Sequence, residues 1–415
     1  MRGPEAGASG TVPVRRAPSG RGRSPRVGLV AGCPFPAPRG SQVLVDGMAC
    51  ALAGAGVDVH LFAPIVPGCA RPYPLHSIAG EGAFPSAEPA FGTRLRRLLG
   101  DVGLANRLRE AVLRERVDVL HAHNYEALLA SLRVRASTGV PVVFHAHAVL
   151  ADELPLYASS RVLPTAVASR LGTWCDRTFP RLADHVVALS DDVARYLERC
   201  GVDPARIAVV PPGIEAPGPG ENEQGRRPRA VFTGNLDRYQ NLDLLLRSWS
   251  LVERRLPDAT LAVVTHERDR TLPGDVPGLA RVELVRARGL GDVRREWSRA
   301  TVGVSPRTSW SGFPVKTLNY MAAGLPTVAL EGSSKGIRDG ESGWVVRGTS
   351  AEALAGALCE ALDDPRECGL RGRNARAALG EEHAWPRLAE QLLALSSAVA
   401  LGARRGGLSP ASRPG

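Results

Sequence analysis

Hydrophobic positions along this chain fall in short continuous runs rather than in strict alternation. VGLVA (27–31) is followed by a helical pattern from about Gln42 to Ala55 and then by VDVHLFA (57–63). DVLHAH (118–123), PVVFHAH (141–147), HVVALS (185–190) and IAVVPP (207–212) continue the series, with helical segments between them. A strand buried on both faces reads this way, which is the signature of a parallel sheet covered by helices. A second series starts at AVFTG (230–234) and runs through ATLAVVT (259–265), RVELV (281–285), TVGVS (301–305), PTVAL (326–330) and GWVV (343–346). Between the two lies APGPGENEQGRRPR (216–229), which has the Gly, Pro and charge of a linker and no periodicity. The pattern predicts an α/β chain of two Rossmann-like, doubly wound domains, 26–215 and 230–384, facing each other across a cleft. A helix over 385–401 is placed to cross back between them. Residues 1–25, rich in Gly, Pro, Arg and Ser, and residues 402–415 read as tails.

Composition narrows the class. A chain of 415 residues is long for one core, and 44% hydrophobic with 23% charged residues is a globular balance. The net charge of +10 admits an anionic ligand, an anionic membrane surface or nucleic acid. Nucleic acid is the weakest of the three, since aromatics are only 5% and no helix-turn-helix or stacking pattern occurs. The 7 cysteines are scattered singly, which supports neither a disulfide framework nor a zinc site and fits a reducing cytoplasm. The N-terminus has no apolar core of a secretory signal, and no apolar run reaches the length of a membrane span. The expectation is a cytoplasmic protein, at most resting on the inner face of the membrane. The basic amphipathic stretch 94–116 offers a surface for that contact, although acidic residues interrupt it and a plainly solvated face is the stronger reading.

Candidate chemistry gathers at strand ends. Basic sites are almost all arginine, so the two lysines, Lys316 and Lys335, stand out. Lys316 lies in SGFPVKTLNYMAAGLP, where a glycine turn runs into a helix after a strand. A compact ammonium beside a helix N-terminus suits a phosphate group. TGNLDRYQN places Asn235, Arg238 and Gln240 after the first strand of the second domain, within reach of a diphosphate or an acceptor. Lys316, the 312–315 backbone (Gly312, Phe313, Pro314, Val315) and Lys335 would complete a cationic pocket, stabilising an anionic leaving group without metal. In the first domain, Arg39 and Gly40 open a helix in a Pro/Gly loop that either meets an acceptor or is a plain connection. His121, His123, His145 and His147 form two HAH pairs, each pair on one side of its strand. Without accompanying carboxylates they read as a polar cleft wall rather than a metal site, with His121 and His145 in the core. Metal ligands: none.

Taken together these segments resemble family 4 of the retaining GT-B glycosyltransferases. The landmarks are PAPRGSQ, DVLHAHNYEALLA, PVVFHAHAVLADELPLY, ADHVVALSDDV, VVPPGI, TGNLDRYQNLDLLL, SGFPVKTLNYMAAGLPTV and IRDGESGWVV, in that order, from residue 26 to about 395. The resemblance implies a nucleotide-sugar donor, expected to be UDP-linked, on the second domain and a hydroxyl acceptor on the first. It also implies transfer with retention and no cofactor or metal. His147 matches the family histidine near the reacting sugar. Gly40 matches the second glycine of the N-terminal loop, whose first glycine is Arg39 here. Two family glutamates read Ser311 and Asn319, and the diphosphate-binding Arg and Lys read Asn235 and Gln240, so Lys316 is expected to supply the missing charge. Donor binding is thereby assigned to Ser311–Lys316, Asn319, Asn235, Arg238 and Gln240, acceptor binding to Arg39, Gly40 and His123, and the catalytic role to His147. The expected product is a polysaccharide, a glycolipid or a glycosylated metabolite. The alternative is a GT-B-fold binding protein that lost transfer with its glutamates. A nicotinamide oxidoreductase is disfavoured, because GxGxxG is missing.

Overall fold

The computed structural model describes residues 23–37, 39–66, 70–78, 102–157, 164–215, 228–267, 271–272 and 279–406. Most of the expected linker, the first 22 residues and the end of the chain from 407 lie outside them, as does the first part of the basic stretch at 94–116.

The N-terminal unit is built on β1 (Val27–Ala31), β2 (Val59–Ala63), β3 (Leu75–Ser77), β4 (Val119–His123), β5 (Val142–Ala146), β6 (His185–Ala188) and β7 (Ile207–Val209). They pair in parallel, in the order β3-β2-β1-β4-β5-β6-β7. The reversal of order between β1 and β4 makes the switch point at which ligands meet such sheets. Every residue of β1, β2, β4 and β5 is buried, which is why these strands read as unbroken apolar runs. Covering helices are α1 (Gly40–Gly54), α2 (Val102–Arg114), α3 (Asn124–Thr138), α4 (Leu150–Tyr157), α5 (Thr165–Thr178) and α6 (Asp191–Arg199). Edge strand β3 has one fully exposed residue and no continuous apolar run, so the sequence pattern passed over it.

The C-terminal unit repeats the plan with β8 (Arg229–Thr233), β9 (Thr260–Thr265), β10 (Val282–Arg286), β11 (Val302–Ser305), β12 (Thr327–Leu330) and β13 (Gly343–Val346), in the parallel order β10-β9-β8-β11-β12-β13. Its helices are α7 (Leu242–Arg255), α8 (Leu290–Ser298), α9 (Val315–Ala322), α10 (Ala351–Asp363) and α11 (Pro365–Ala377). Trp249, Phe232 and the leucines of α7 fill one face of this sheet, and Tyr320 and Trp297 fill the other.

The last helix, α12 (Trp385–Gly406), belongs in space to the N-terminal unit. Leu388, Ala389 and Leu392 join the core formed by Val27, Leu29, Val45 and Leu52. Ser396 also reaches His121 Nε2 at 2.9 Å. Among the described residues no helix is long and apolar enough to cross a membrane.

Candidate active site at the domain cleft

Strand ends from both units meet here, and the chain reverses sharply at each. After β8 the backbone turns at Gly234, whose φ of +155° is one that side chains rarely adopt; a Cβ there would stand 3.3 Å from Lys316 Nζ, tighter than ordinary contact. The turn delivers a polar relay. Lys316 Nζ donates to Gln240 Oε1 at 2.6 Å, Gln240 Nε2 to Asn235 Oδ1 at 2.8 Å, and Asn235 Nδ2 to Asp237 Oδ2 at 2.7 Å. Gln240, Asn235 and Asp237 are all buried. Lys316 also lies over the Phe232 ring, 3.9 Å from its centroid, a contact that favours a cation.

A second cation stands beside it. Arg307, on the loop after β11, holds Ser309 Oγ at 3.0 Å and lies over the Tyr239 ring at 5.2 Å. Its guanidinium lies against Gly312, where a Cβ would come within 2.4 Å and would push the guanidinium aside. Arg307 Nε is buried without a hydrogen-bond partner. Burial pushes the Lys316 ammonium well below its usual range, and the neighbouring Arg307 adds to the shift. Two half-buried basic side chains side by side have the electrostatics of a site for an anion, which would favour the charged form of both.

Lys335 sits at the edge of this group. Its Nζ donates to the Trp310 carbonyl and lies 4.0 Å from Asp192 of α6, so its charge faces the N-terminal unit. Arg238 is exposed on the short turn Arg238–Gln240. Phe313 packs edge-on to His383, Pro314 caps α9, and Asn319 is half-buried on its second turn.

Among the described residues, polar and ionic contacts and an aromatic wedge join the units across the cleft. Asp152 of α4 accepts from Ser309 Oγ at 2.5 Å, Ser311 Oγ at 2.7 Å and Ser311 N–H at 3.0 Å. Arg39 reaches Asp237 at 3.2 Å and Glu267 at 3.7 Å, so the residue expected to meet an acceptor spans the cleft instead. Lys335 and Asp192 make a further contact. Trp310 packs on the N-terminal core and meets Tyr196 edge to face at 5.5 Å. Gly40 is exposed next to Arg39.

The four histidines form a buried ladder. His121 Nδ1 and His145 Nε2 are 2.8 Å apart, and His123 Nδ1 and His147 Nε2 are 2.9 Å apart. Burial holds all four below the usual histidine range, His121 at about 3 and His147 at about 4, so they are neutral at physiological pH. His123, expected at the acceptor, is only 1% exposed, and its ring lies against those of His145 and His147. His147, one residue past β5, is the most accessible of the four at 8%. It is followed by α4, whose first turn is held by Asp176. That carboxylate accepts from the Leu150 and Ala151 amides, both at 2.9 Å, from Tyr196 at 3.0 Å and from the Tyr125 hydroxyl.

Asp152, Arg307, Asp237, Glu267 and Trp310 were not expected from the sequence. Asp152 lies inside the HAHAVLADE run, and Arg307 two residues beyond a strand end; position alone was the available signal. The structure thus brings Lys316, Gln240 and Asn235 into one group and directs Lys335, Arg39 and His123 elsewhere.

Residues 38–217 match the sequence family described as Glycosyltransferase Family 4, and residues 227–364 match Glycosyl transferases group 1. The chain is 26% identical over 384 residues to the D-inositol 3-phosphate glycosyltransferase of Pseudarthrobacter chlorophenolicus, covering 84% of this chain and 88% of that protein. Its fold matches sucrose-phosphate synthase from Thermosynechococcus elongatus with a TM-score of 0.76 at 19% identity, over 91% of this chain and 99% of that one. It also matches Anabaena HepE, solved in complex with UDP and glucose, with a TM-score of 0.68 at 15% identity, over 90% and 99% of the two chains.

Proposed function

Because the chain belongs to glycosyltransferase family 4 and has the GT-B fold, we propose that it moves a sugar from a UDP-sugar to an acceptor hydroxyl. Transfer proceeds with retention and without a metal ion or other cofactor. The observation that carries this reading is the half-buried basic pair, Lys316 and Arg307, on the loop after β11 and at the start of α9. A diphosphate is the anion that a nucleotide-sugar brings to such a place. The Thr317 amide bonds the Pro314 carbonyl, and the amides before it are the donors that a helix start offers an anion. Asn319 then holds the ribose hydroxyls, and Ser311 with Asp152 stands at the sugar.

In the reaction the acceptor oxygen bonds to the anomeric carbon as the bond from that carbon to the diphosphate oxygen breaks. The acceptor proton passes to the departing phosphate oxygen, and the Lys316–Arg307 pair stabilises the charge that develops there. His147, kept neutral by burial, serves as a hydrogen-bond partner beside the sugar rather than as a cation. Since the relative from Pseudarthrobacter is named for D-inositol 3-phosphate, a phosphorylated polyol is the first acceptor to try. A lipid-linked acceptor at the inner membrane face is the second.

Turnover of UDP-, GDP- and ADP-sugars, with and without EDTA, tests the reading against a Lys316→Ala variant. Selective turnover of one donor, insensitive to EDTA and reduced at least 100-fold in the variant, is the expected result. Equal turnover by both proteins would remove Lys316 from the donor site. The hold of Asp152 on Ser311 favours one other reading, a binding protein whose sugar position is already filled; nucleotide binding without turnover would select it.

A further inference from the structure

On the opposite side of the N-terminal unit from the cleft, three residues far apart in sequence converge. His60 is the second residue of β2, His76 the middle residue of β3, and Glu115 follows the last turn of α2. Register pairs His76 with Phe62, so His60 and His76 share the face of the sheet that α2 covers. Facing atoms of the two rings, His60 Nδ1 and His76 Nε2, are 2.8 Å apart. Glu115 Oε2 lies 4.0 Å from His60 Nδ1, and Oε1 lies 3.8 Å from His76 Nδ1. One ligand atom from each residue fits within a sphere of contacts no wider than 4.8 Å.

We propose that His60, His76 and Glu115 form a divalent-metal site of the zinc class, clamping edge strand β3 to the end of α2. The donor set is two imidazoles and one carboxylate, which suits zinc or a neighbouring transition ion and leaves a fourth position for water. Ligand nitrogens on a tetrahedral zinc stand roughly 3.3 Å apart, so the rings open by about half an ångström and the carboxylate closes by a similar amount. His60 is already oriented for the task. Its far nitrogen, Nε2, lies 3.0 Å from Asp58 Oδ1, and donation there leaves the Nδ1 lone pair facing the site, the carboxylate–histidine arrangement that supports metal-bound imidazoles. His76 takes the Nδ1–H tautomer when the ion occupies its Nε2, and that N–H then faces Glu115 Oε1. Arg114, which holds Glu115 Oε1 at 2.9 Å, is a mostly exposed side chain free to swing into solvent. Because the ligands lie at the N-terminal end of β2 and on an edge strand, the ion acts on stability and not on transfer.

The spacings 60, 76 and 115 match no metal motif, and for this reason the sequence pattern does not reveal the group. The test is calorimetric titration of chelator-treated, tag-free full-length chain with ZnCl2, repeated on His76→Ala, Glu115→Gln and Cys50→Ser. His76 and Glu115 are partly exposed, so both variants are expected to fold, and circular dichroism checks this. One equivalent bound by the wild type and by Cys50→Ser supports the site if at least tenfold affinity is lost in the other two variants. A zinc-dependent rise in Tm of several degrees, absent from His76→Ala, adds to that support. Zinc binding that survives in His76→Ala, or is lost in Cys50→Ser, overturns the proposal, and so does the absence of binding.

Discussion

Lys316 shows how one side chain is set by everything around it. It lies on a helix start, over an aromatic face, bonded to an amide oxygen and beside a guanidinium. Desolvation and the like charge of Arg307 both disfavour its protonated form. An anion placed against it reverses both effects. Its pKa, depressed in the free protein, rises in the complex, so the side chain takes up a proton wherever the pH lies between the two values. Binding of UDP is therefore expected to be accompanied by proton uptake at pH values below the usual lysine range. Titration calorimetry in buffers of different ionisation enthalpy reads this directly. An enthalpy independent of the buffer in wild type would place the diphosphate away from Lys316.

At the scale of elements, α4 is the piece that connects the core to the cleft. It carries Asp152, begins just after His147, and its first-turn amides are satisfied by a carboxylate from the neighbouring helix α5. A buried Asp176 shared by two amides and two tyrosine hydroxyls is a network in which every member depends on the others. Asp176→Ala leaves these donors buried and unpaired. A loss of about 3–5 kcal/mol is expected in urea unfolding, against less than about 0.5 kcal/mol for Asp191→Ala, an exposed residue of α6. A loss below about 1 kcal/mol would mean that water replaces the carboxylate. The element scale also shows the reach of sequence patterning. Strands buried on both faces were legible because burial and apolar runs coincide, whereas β3 was not, since an edge strand of three residues has no such run.

For the whole molecule, the cleft is held by few contacts of good geometry. Arg39 reaches Asp237 and Glu267, Asp152 reaches Ser309 and Ser311, Lys335 reaches Asp192, and Trp310 wedges against the N-terminal core. Contacts between domains of one chain resemble those of transient complexes, which makes relative motion of the domains the default. The double variant Arg39→Ala, Asp152→Ala is expected to open the cleft. Small-angle X-ray scattering would show a larger radius of gyration, while circular dichroism retains the secondary structure of both domains. An unchanged radius would assign closure to Trp310 and α12. The sequence by itself determined the two α/β units, the order of their strands along the chain and the family, because apolar runs, turn residues and ordered motifs are local properties. It also marked Lys316, through the rarity of lysine. Only the tertiary structure decided that Arg39 crosses the cleft, that His123 fills the core, that Arg307 doubles the charge of Lys316, and that His60, His76 and Glu115 meet. Those outcomes depend on which strand ends lie side by side, and parallel crossovers bring together residues that no spacing in the sequence connects.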